Sequence, residues 1–387
     1  MGERVAGGRL APSLGLMHFA LMLAGLGTAL LGPILPLLAH EWNLRDSDSG
    51  LLMMAKFCGA FLGGVSVSRH LRRSLLVGLL AGACGFGGFA MAPGMALGCV
   101  GLFVGGFGLG QILTATNILA GRRFTKHRGS GLALLNFSFS LGAMLSALLA
   151  AWLLPRFAMR GVLVGFAGLF VAGAIWIGLE MPGAQAEVEV VEESESSAGL
   201  GRRVYLYFAG LLILYGGLET CLSGWLTTFA LRYGDRTLAV SEYTTLLLWM
   251  ALTFGRVGSS LLMLRVGERT VQRIGLGLAA VFIVALGLSH TALGIATFAV
   301  LLGLSLAPFF PATWSLLMGE RPRARQAGIV LAVSGLGAAA LPWLMGVVST
   351  RTGSLQIALA LPLAAAVALL GMSLFPARQR SADSSAG

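Results

Sequence analysis

Apolar residues run along the chain in stretches of about twenty positions, separated by short charged clusters, and this pattern repeats from end to end. Within a stretch such as LLVGLLAGACGFGGFAMA (75–92), polar residues mark neither every second position nor one helical face. Twenty helical residues rise about 30 Å, the thickness of the hydrocarbon core of a bilayer. The strict alternation that a membrane β-barrel requires is missing. The pattern predicts twelve spanning helices, at 14–39, 49–67, 74–92, 95–120, 129–154, 161–180, 204–231, 242–266, 271–289, 291–318, 326–350 and 354–375. The first run is flanked by Arg4 and Arg9, but it is too long for the apolar core of a secretory signal. No small-residue cleavage site follows it, so it reads as a retained helix.

Composition agrees with the pattern. Hydrophobic residues make up 56% of the 387 and charged ones 11%, against about a quarter charged in a soluble domain. Placing the N-terminus inside puts nineteen Lys and Arg residues in inner loops and tails and six in outer loops. Lys56 and Arg256 lie within spans and complete the 27. That bias orients both termini toward the cytoplasm of a plasma membrane, of the bacterial inner-membrane kind. Basic loops against anionic lipid also account for the net charge of +11 without any nucleic acid partner. Four cysteines, all in spans and none in a C-x-x-C pair, read as small buried hydrophobes, so neither metal nor other cofactor is expected.

The one long internal polar segment, MPGAQAEVEVVEESESSAGLGRR (181–203), carries five glutamates and three serines and reads as a solvated linker. It divides the chain into a first six-helix bundle at 1–180 and a second, with a short tail, at 204–387. The halves overlay on one another. A shift of 196 sets Arg69 on Arg265 and Arg73 on Arg269; a shift of 197 sets Thr116 on Thr313, Arg128 on Arg325 and Gly131 on Gly328; a shift of 192 sets Gly32 on Gly224. Nearly equal offsets indicate a six-plus-six repeat.

Twelve spans, a charged central linker and basic turns after spans two and eight (GVSVSRHLRR, 64–73, and SLLMLRVGER, 260–269) resemble the major facilitator superfamily of secondary transporters. The first turn lacks the Asp of the family's usual signature and the second keeps only its Arg-x-Gly part. Within the superfamily, YGGLETCLSGW (215–225) and the 108–143 segment are similar to the fucose-permease-like group. The resemblance implies an all-α integral membrane protein of two pseudo-symmetric six-helix bundles, and a sugar carried together with a proton.

Glu219 stands near the middle of span seven, where an ionised acid costs about 2.5–3.5 kcal/mol on insertion scales. It is the one acid in the interior of any span, and it reads as the proton-coupling residue or, in the plainer alternative, as half of a permanent structural pair. Counted from outside, Arg256 lies fourteen positions into span eight and Glu219 twelve into span seven, so neighbouring antiparallel helices would bring them to one depth. Arg256 is therefore expected either to pair with Glu219 or to fix the cytoplasmic gate. Lys56, seven positions into span two, is expected to snorkel outward toward Glu41, Asp46 and Asp48 as part of an outer gate. Gln111 is expected to line a central cavity; Asn117 and Asn136 are candidates for the same wall or for a bond between helices. Trp225, Trp249 and Trp314 are candidates to stack on a sugar face, with packing as the plainer reading. Glycine and proline in GTALLGPILP (27–36) and APFFPATW (307–314) are expected to bend spans one and ten.

These features point to a monomeric, proton-coupled carrier of a small polar solute working by alternating access, not to an enzyme. A proton-driven multidrug-type or sugar exporter is the alternative. A receptor or scaffold is the reading from another class, and no soluble domain through which it could signal is evident. No G-x-x-x-x-G-K-[ST] loop offers direct ATP drive.

Overall fold

A computed structural model describes residues 4–5, 9–10, 13–68, 70–123, 128–180, 199–234, 243–320 and 322–375. The 181–203 linker before Gly199 lies outside the described residues, as do Arg69, Lys126, Arg236, Arg321, Arg378 and Arg380 of the basic loops and tail.

Among the described residues, sixteen α-helices build the twelve spans, after a two-rung antiparallel ladder of β1 (Arg4–Val5) and β2 (Arg9–Leu10) that the apolar pattern did not predict. Span one is α1 (Leu14–Ala29) and α2 (Leu31–Glu41). Spans two to nine are single helices: α3 (Asp46–Val65), α4 (Leu71–Ala90), α5 (Met95–Arg123), α6 (Arg128–Leu153), α7 (Met159–Glu180), α8 (Arg202–Tyr233), α9 (Thr244–Val266) and α10 (Glu268–Leu288). Span ten is α11 (Ala292–Leu306) and α12 (Phe309–Gly319), span eleven α13 (Ala324–Ala332) and α14 (Ser334–Thr352), and span twelve α15 (Leu355–Ala358) and α16 (Ala360–Leu374). Eleven spans are long and apolar enough to cross a membrane by composition alone. The remaining one is α3, whose first turn holds Asp46 and Asp48 and whose middle holds Lys56.

Three of the four breaks have one cause. Proline has no N–H to give the carbonyl four residues earlier. Pro33, Pro311 and Pro362 leave Ala29, Ala307 and Ala358 without that donor, and the helices part at or beside each of these residues. Hydroxyl caps hold other helix starts: Ser13 accepts from the Leu16 N–H at 3.2 Å and Thr291 from Gly294 at 3.1 Å. Gly353, at φ 69°, closes α14 in the left-handed conformation that favours glycine.

Both faces of many helices are apolar. On α10, Val271, Gly275, Ala279, Ile283 and Leu286 are buried, while Ile274, Leu278, Val281, Val284 and Leu288 point outward and are exposed. Such an outer surface suits lipid, not water.

Helix packing obeys a two-fold relation between span n and span n+6. Within the first six, α3 packs on α5, α4 on α5 and on α7, and α1 on α6; within the last six, α9 packs on α11, α10 on α11 and on α16, and α8 on α14. Across the halves, α3 meets α14, its symmetry mate is α6 with α9, and α2 meets α8. Gly32 lies against the Ser223 carbonyl and Gly224, so a Cβ built on it would stand 3.2 Å from the Gly224 Cα. Gly32 and Gly224 are repeat mates, and mates meet only on the two-fold axis.

With twelve spans, the start of α1 and the end of α16 lie on one face of the bundle, here called the terminal face. The opposite, far face is drawn shut. Arg232 at the end of α8 donates to both oxygens of Asp46 at the start of α3, at 2.7 and 2.9 Å. Ser349 of α14 donates to the same carboxylate, and the Ser47 N–H donates to Thr350 Oγ1 at 2.8 Å. Below this clamp, bare backbones touch: Gly50 lies against Trp343, and Gly346 against the Asp46 carbonyl.

Candidate functional site

A cavity of about 150 Å³ lies between the halves, from mid-depth toward the terminal face. The helix breaks bring backbone and side chains to it: Thr28 stands just before the break at Leu30, Phe310 just after the one at Pro308, and Leu331 to Gly335 around the one at Val333. Most of its wall is apolar, with rings from Phe57, Phe139, Phe310 and Tyr215.

Its charged wall is one ion pair. Arg256 Nη2 of α9 donates to Glu219 Oε1 of α8 at 3.0 Å, with the two side chains 13% and 18% exposed. The depth reckoning that brought these residues together from sequence agrees with this geometry. Arg256 Nη1 donates to Ser140 Oγ on α6, so the pair is tied across the interface to the other half. The guanidinium lies 6.0 Å from the Phe310 ring centroid, a cation–π distance. Tyr215, one helical turn before Glu219, is stacked on Phe309 with ring centroids 4.4 Å apart. A buried carboxylate and guanidinium hold each other at large desolvation cost, so a change of charge on either frees the other to bind something else.

Asn117 and Asn136 line this cavity. Asn117 Nδ2 donates to the Leu113 carbonyl at 2.8 Å, within its own helix. Gln111 does not line it: the side chain is buried between helices, with Nε2 donating to Ser66 Oγ at 2.9 Å. The three tryptophans are also elsewhere. Trp225 is 1% exposed and its Nε1 donates to the Pro342 carbonyl at 3.1 Å, fastening α8 to α14. Trp249 is buried in the core, and Trp314 stacks behind Phe310 at 6.1 Å between centroids, one ring removed from the cavity.

Lys56 does not reach outward. It is 2% exposed, and its Nζ donates to the Thr28 carbonyl at 2.6 Å. Asp46 and Asp48 lie ten and eight residues above it on α3, about 15 and 12 Å at 1.5 Å per residue, beyond the reach of a lysine. They are engaged instead by Arg232 and, at 3.3 Å, by Arg45. The far-face ion pair expected of Lys56 is made by Asp46 and Arg232.

Sequence reasoning passed over Phe310 and Tyr215 as site residues. Tyr215 had a signal: it is four residues from Glu219, hence on the same helical face.

The chain matches the model of the Major Facilitator Superfamily over residues 17–327. It belongs to that superfamily. It is a multi-pass membrane protein and a secondary transporter. The 4-hydroxybenzoate transporter PcaK of Pseudomonas putida is 30% identical over 160 residues, 38% of this chain. The match spans only 35% of that relative's length. Among solved structures, the E. coli fucose:proton symporter FucP has a TM-score of 0.66 at 17% identity, over 94% of this chain and 98% of that one. The nucleoside transporter NupG has 0.73 at 12%, over 93% and 98%. A transporter of the POT family has 0.75 at 14%, over 94% and 95%. At such identities the likeness is one of fold.

Proposed function

We propose that this superfamily member is a proton-coupled carrier of a small organic solute, with Glu219 as the proton site and Arg256 as its counter-charge. One observation carries the reading: the ion pair in the wall of the cavity between the halves. A proton arriving at Glu219 removes the charge that holds Arg256, whose donors then turn to the polar end of a solute. Loss of the proton restores the pair and expels the solute. Since Ser140 links Arg256 to the first half, the exchange is felt at the interface that alternating access must move. In this scheme 1–180 and 204–387 are the moving halves and 181–203 joins them on the cytoplasmic side, with both termini cytoplasmic, in a plasma membrane and as a monomer.

The cavity is smaller than the ~300–1,000 Å³ of ordinary ligand pockets, which favours a small solute over the bulky range of a multidrug exporter. Its apolar and aromatic wall suits an organic acid like the one for which the Pseudomonas relative is named. A sugar, as in the name of the E. coli neighbour, is the second reading, favoured by the Asn117 and Asn136 amides in the wall. The test uses proteoliposomes with an interior pH dye. Solute-driven acidification is expected in the native protein. In Glu219→Gln it should vanish while exchange of the same solute persists. Proton flow unchanged by the substitution would make the carboxylate structural.

A further inference from the structure

Lys56 is left unused by that scheme, and its surroundings are unusual. Its ammonium is buried at mid-depth, holds one carbonyl at 2.6 Å and lies 4.6 Å from the Phe57 ring centroid. Among the described residues no carboxylate pairs with it. It lines a void of about 10 Å³, room for about one water, whose wall also includes Ser223 and Gly224. Thr28, Phe57 and Thr220 belong to the walls of both this void and the central cavity, so the ammonium stands one layer of side chains from the solute's space. It is also held in place from behind. Gly106 of α5 packs directly on the Lys56 carbonyl, a contact any side chain there would prevent.

A buried ammonium without a counter-charge is costly, and it is retained where something bound supplies that charge. Arg256 and Glu219 stand in the cavity wall and Lys56 one layer of side chains behind it, so with both bases protonated the set holds two positive groups and one acid. The set carries +1 when Glu219 is ionised. Protonation of Glu219 raises it to +2; a neutral solute leaves that added charge uncompensated, and a monoanion returns the set to +1.

We infer that the solute is a small monocarboxylate with an apolar or aromatic body, that Arg256 binds its carboxylate, and that Lys56, one layer of side chains behind the wall, is the positioning charge that favours an anion there. The inference rests on the reading of the chain as a solute carrier and adds the charge of the cargo. The body lies against Phe57, Phe139 and Phe310, and the carboxylate faces the Arg256 guanidinium, with the ammonium behind the wall acting through its field and not by contact. When Glu219 takes a proton it yields Arg256 to the solute. The loaded carrier, with one proton and one carboxylate added, then has the same net charge as the empty one. Both forms therefore cross the membrane's field equally, and transport is electroneutral.

The experiment compares benzoate, phenylacetate and acetate with two neutral probes, benzamide and glucose, on the full chain. Thermal stabilisation in detergent reads binding, and uptake into proteoliposomes reads transport. Benzoate should stabilise and move, benzamide should do neither, and an imposed membrane potential should leave benzoate uptake unchanged. Lys56→Gln should raise the KM for benzoate tenfold or more, and Lys56→Arg should restore it in part. Should Lys56→Gln fail to fold, the native protein's choice between benzoate and its isosteric amide decides alone. Carboxylates that neither bind nor move overturn the inference, as does a Lys56→Gln protein that folds and keeps its KM. Protons moving with glucose or benzamide and not with benzoate would leave proton coupling standing and remove the anion. Benzoate moving without protons would keep the anion and remove the coupling.

Discussion

Asp46→Asn isolates the far-face clamp. The carboxylate accepts two hydrogen bonds from Arg232, at 2.7 and 2.9 Å, and one from Ser349, and so joins the first half to spans seven and eleven. Buried charge-assisted bonds contribute about 1.5–3 kcal/mol each. The Arg232 side chain, however, is 39% exposed, and exposed pairs measure about 0–1 kcal/mol. Discounted in that way, the three bonds together favour far-face closure by about 1–2 kcal/mol, which is about a 5- to 30-fold change in the ratio of closed to open forms. Spin labels at Met91 and His290, one on a far-face loop of each half, report that ratio by pulsed dipolar spectroscopy. Asp46→Asn should transfer population to a longer distance. Asp48→Asn should not, because its partner Arg45 is on the same helix turn. The pH dependence has a definite sign. Burial opposes ionisation of Asp46, but the bonds from Arg232 and Ser349 and the charge of Arg232 outweigh it and hold the carboxyl below its ordinary range. A depressed acid contributes fully above the ordinary carboxyl value, about pH 4, and its contribution is lost as pH falls through the lower value. The clamp is therefore flat between pH 5 and 8. An Asp46→Asn distance distribution identical to the native one refutes the reasoning, and so does a clamp that loosens with pH in that range.

Two further substitutions separate packing from binding. Trp225→Phe removes the bond to the Pro342 carbonyl and should cost about 0.5–1.5 kcal/mol in thermal unfolding with an unchanged solute KM; a tenfold rise in KM at an unchanged melting temperature would put the indole on the solute. Gly110→Val places a side chain against the Ala60 carbonyl and the Gly64 nitrogen of α3 and should destabilise by about 1–3 kcal/mol or more, read as a lower melting temperature in detergent; a protein that melts as the native one does would show that α3 and α5 can part there freely.

Depth was legible in the sequence and azimuth was not. Counting residues at 1.5 Å each put Glu219 and Arg256 at one level, and they meet. The prolines at 33 and 311 gave away the breaks in spans one and ten, because a missing N–H acts on the carbonyl four residues earlier whatever surrounds it. Which face of a span looks inward is a different matter. A helix that is apolar all round has no polar side to mark its outside, so Trp225, Trp249 and Gln111 could be assigned the right level and the wrong direction. Trp225 is six residues from Glu219, about 240° around the helix, whereas Tyr215 at four residues shares its face. Lys56 misled for a related reason: in water its ammonium would seek the nearest carboxylates, but those lie two turns up the same helix and were taken by arginines.

The glycines at the far-face seam bear on speed. Gly32 against Ser223, Gly50 against Trp343 and Gly346 against Asp46 put bare main chain against its neighbours at three places. Interlocked side chains must leave their rotamer wells before two helices can slide, and that traps a machine in whichever pose it last reached. A seam of smooth surfaces has no such ratchet. Rocking of the halves would there meet little friction beyond the clamp at Asp46 and Ser47. Under the proposed scheme, the direction of rocking is then set by the cargo and the proton at the centre, because the hinge itself holds so little memory of its position.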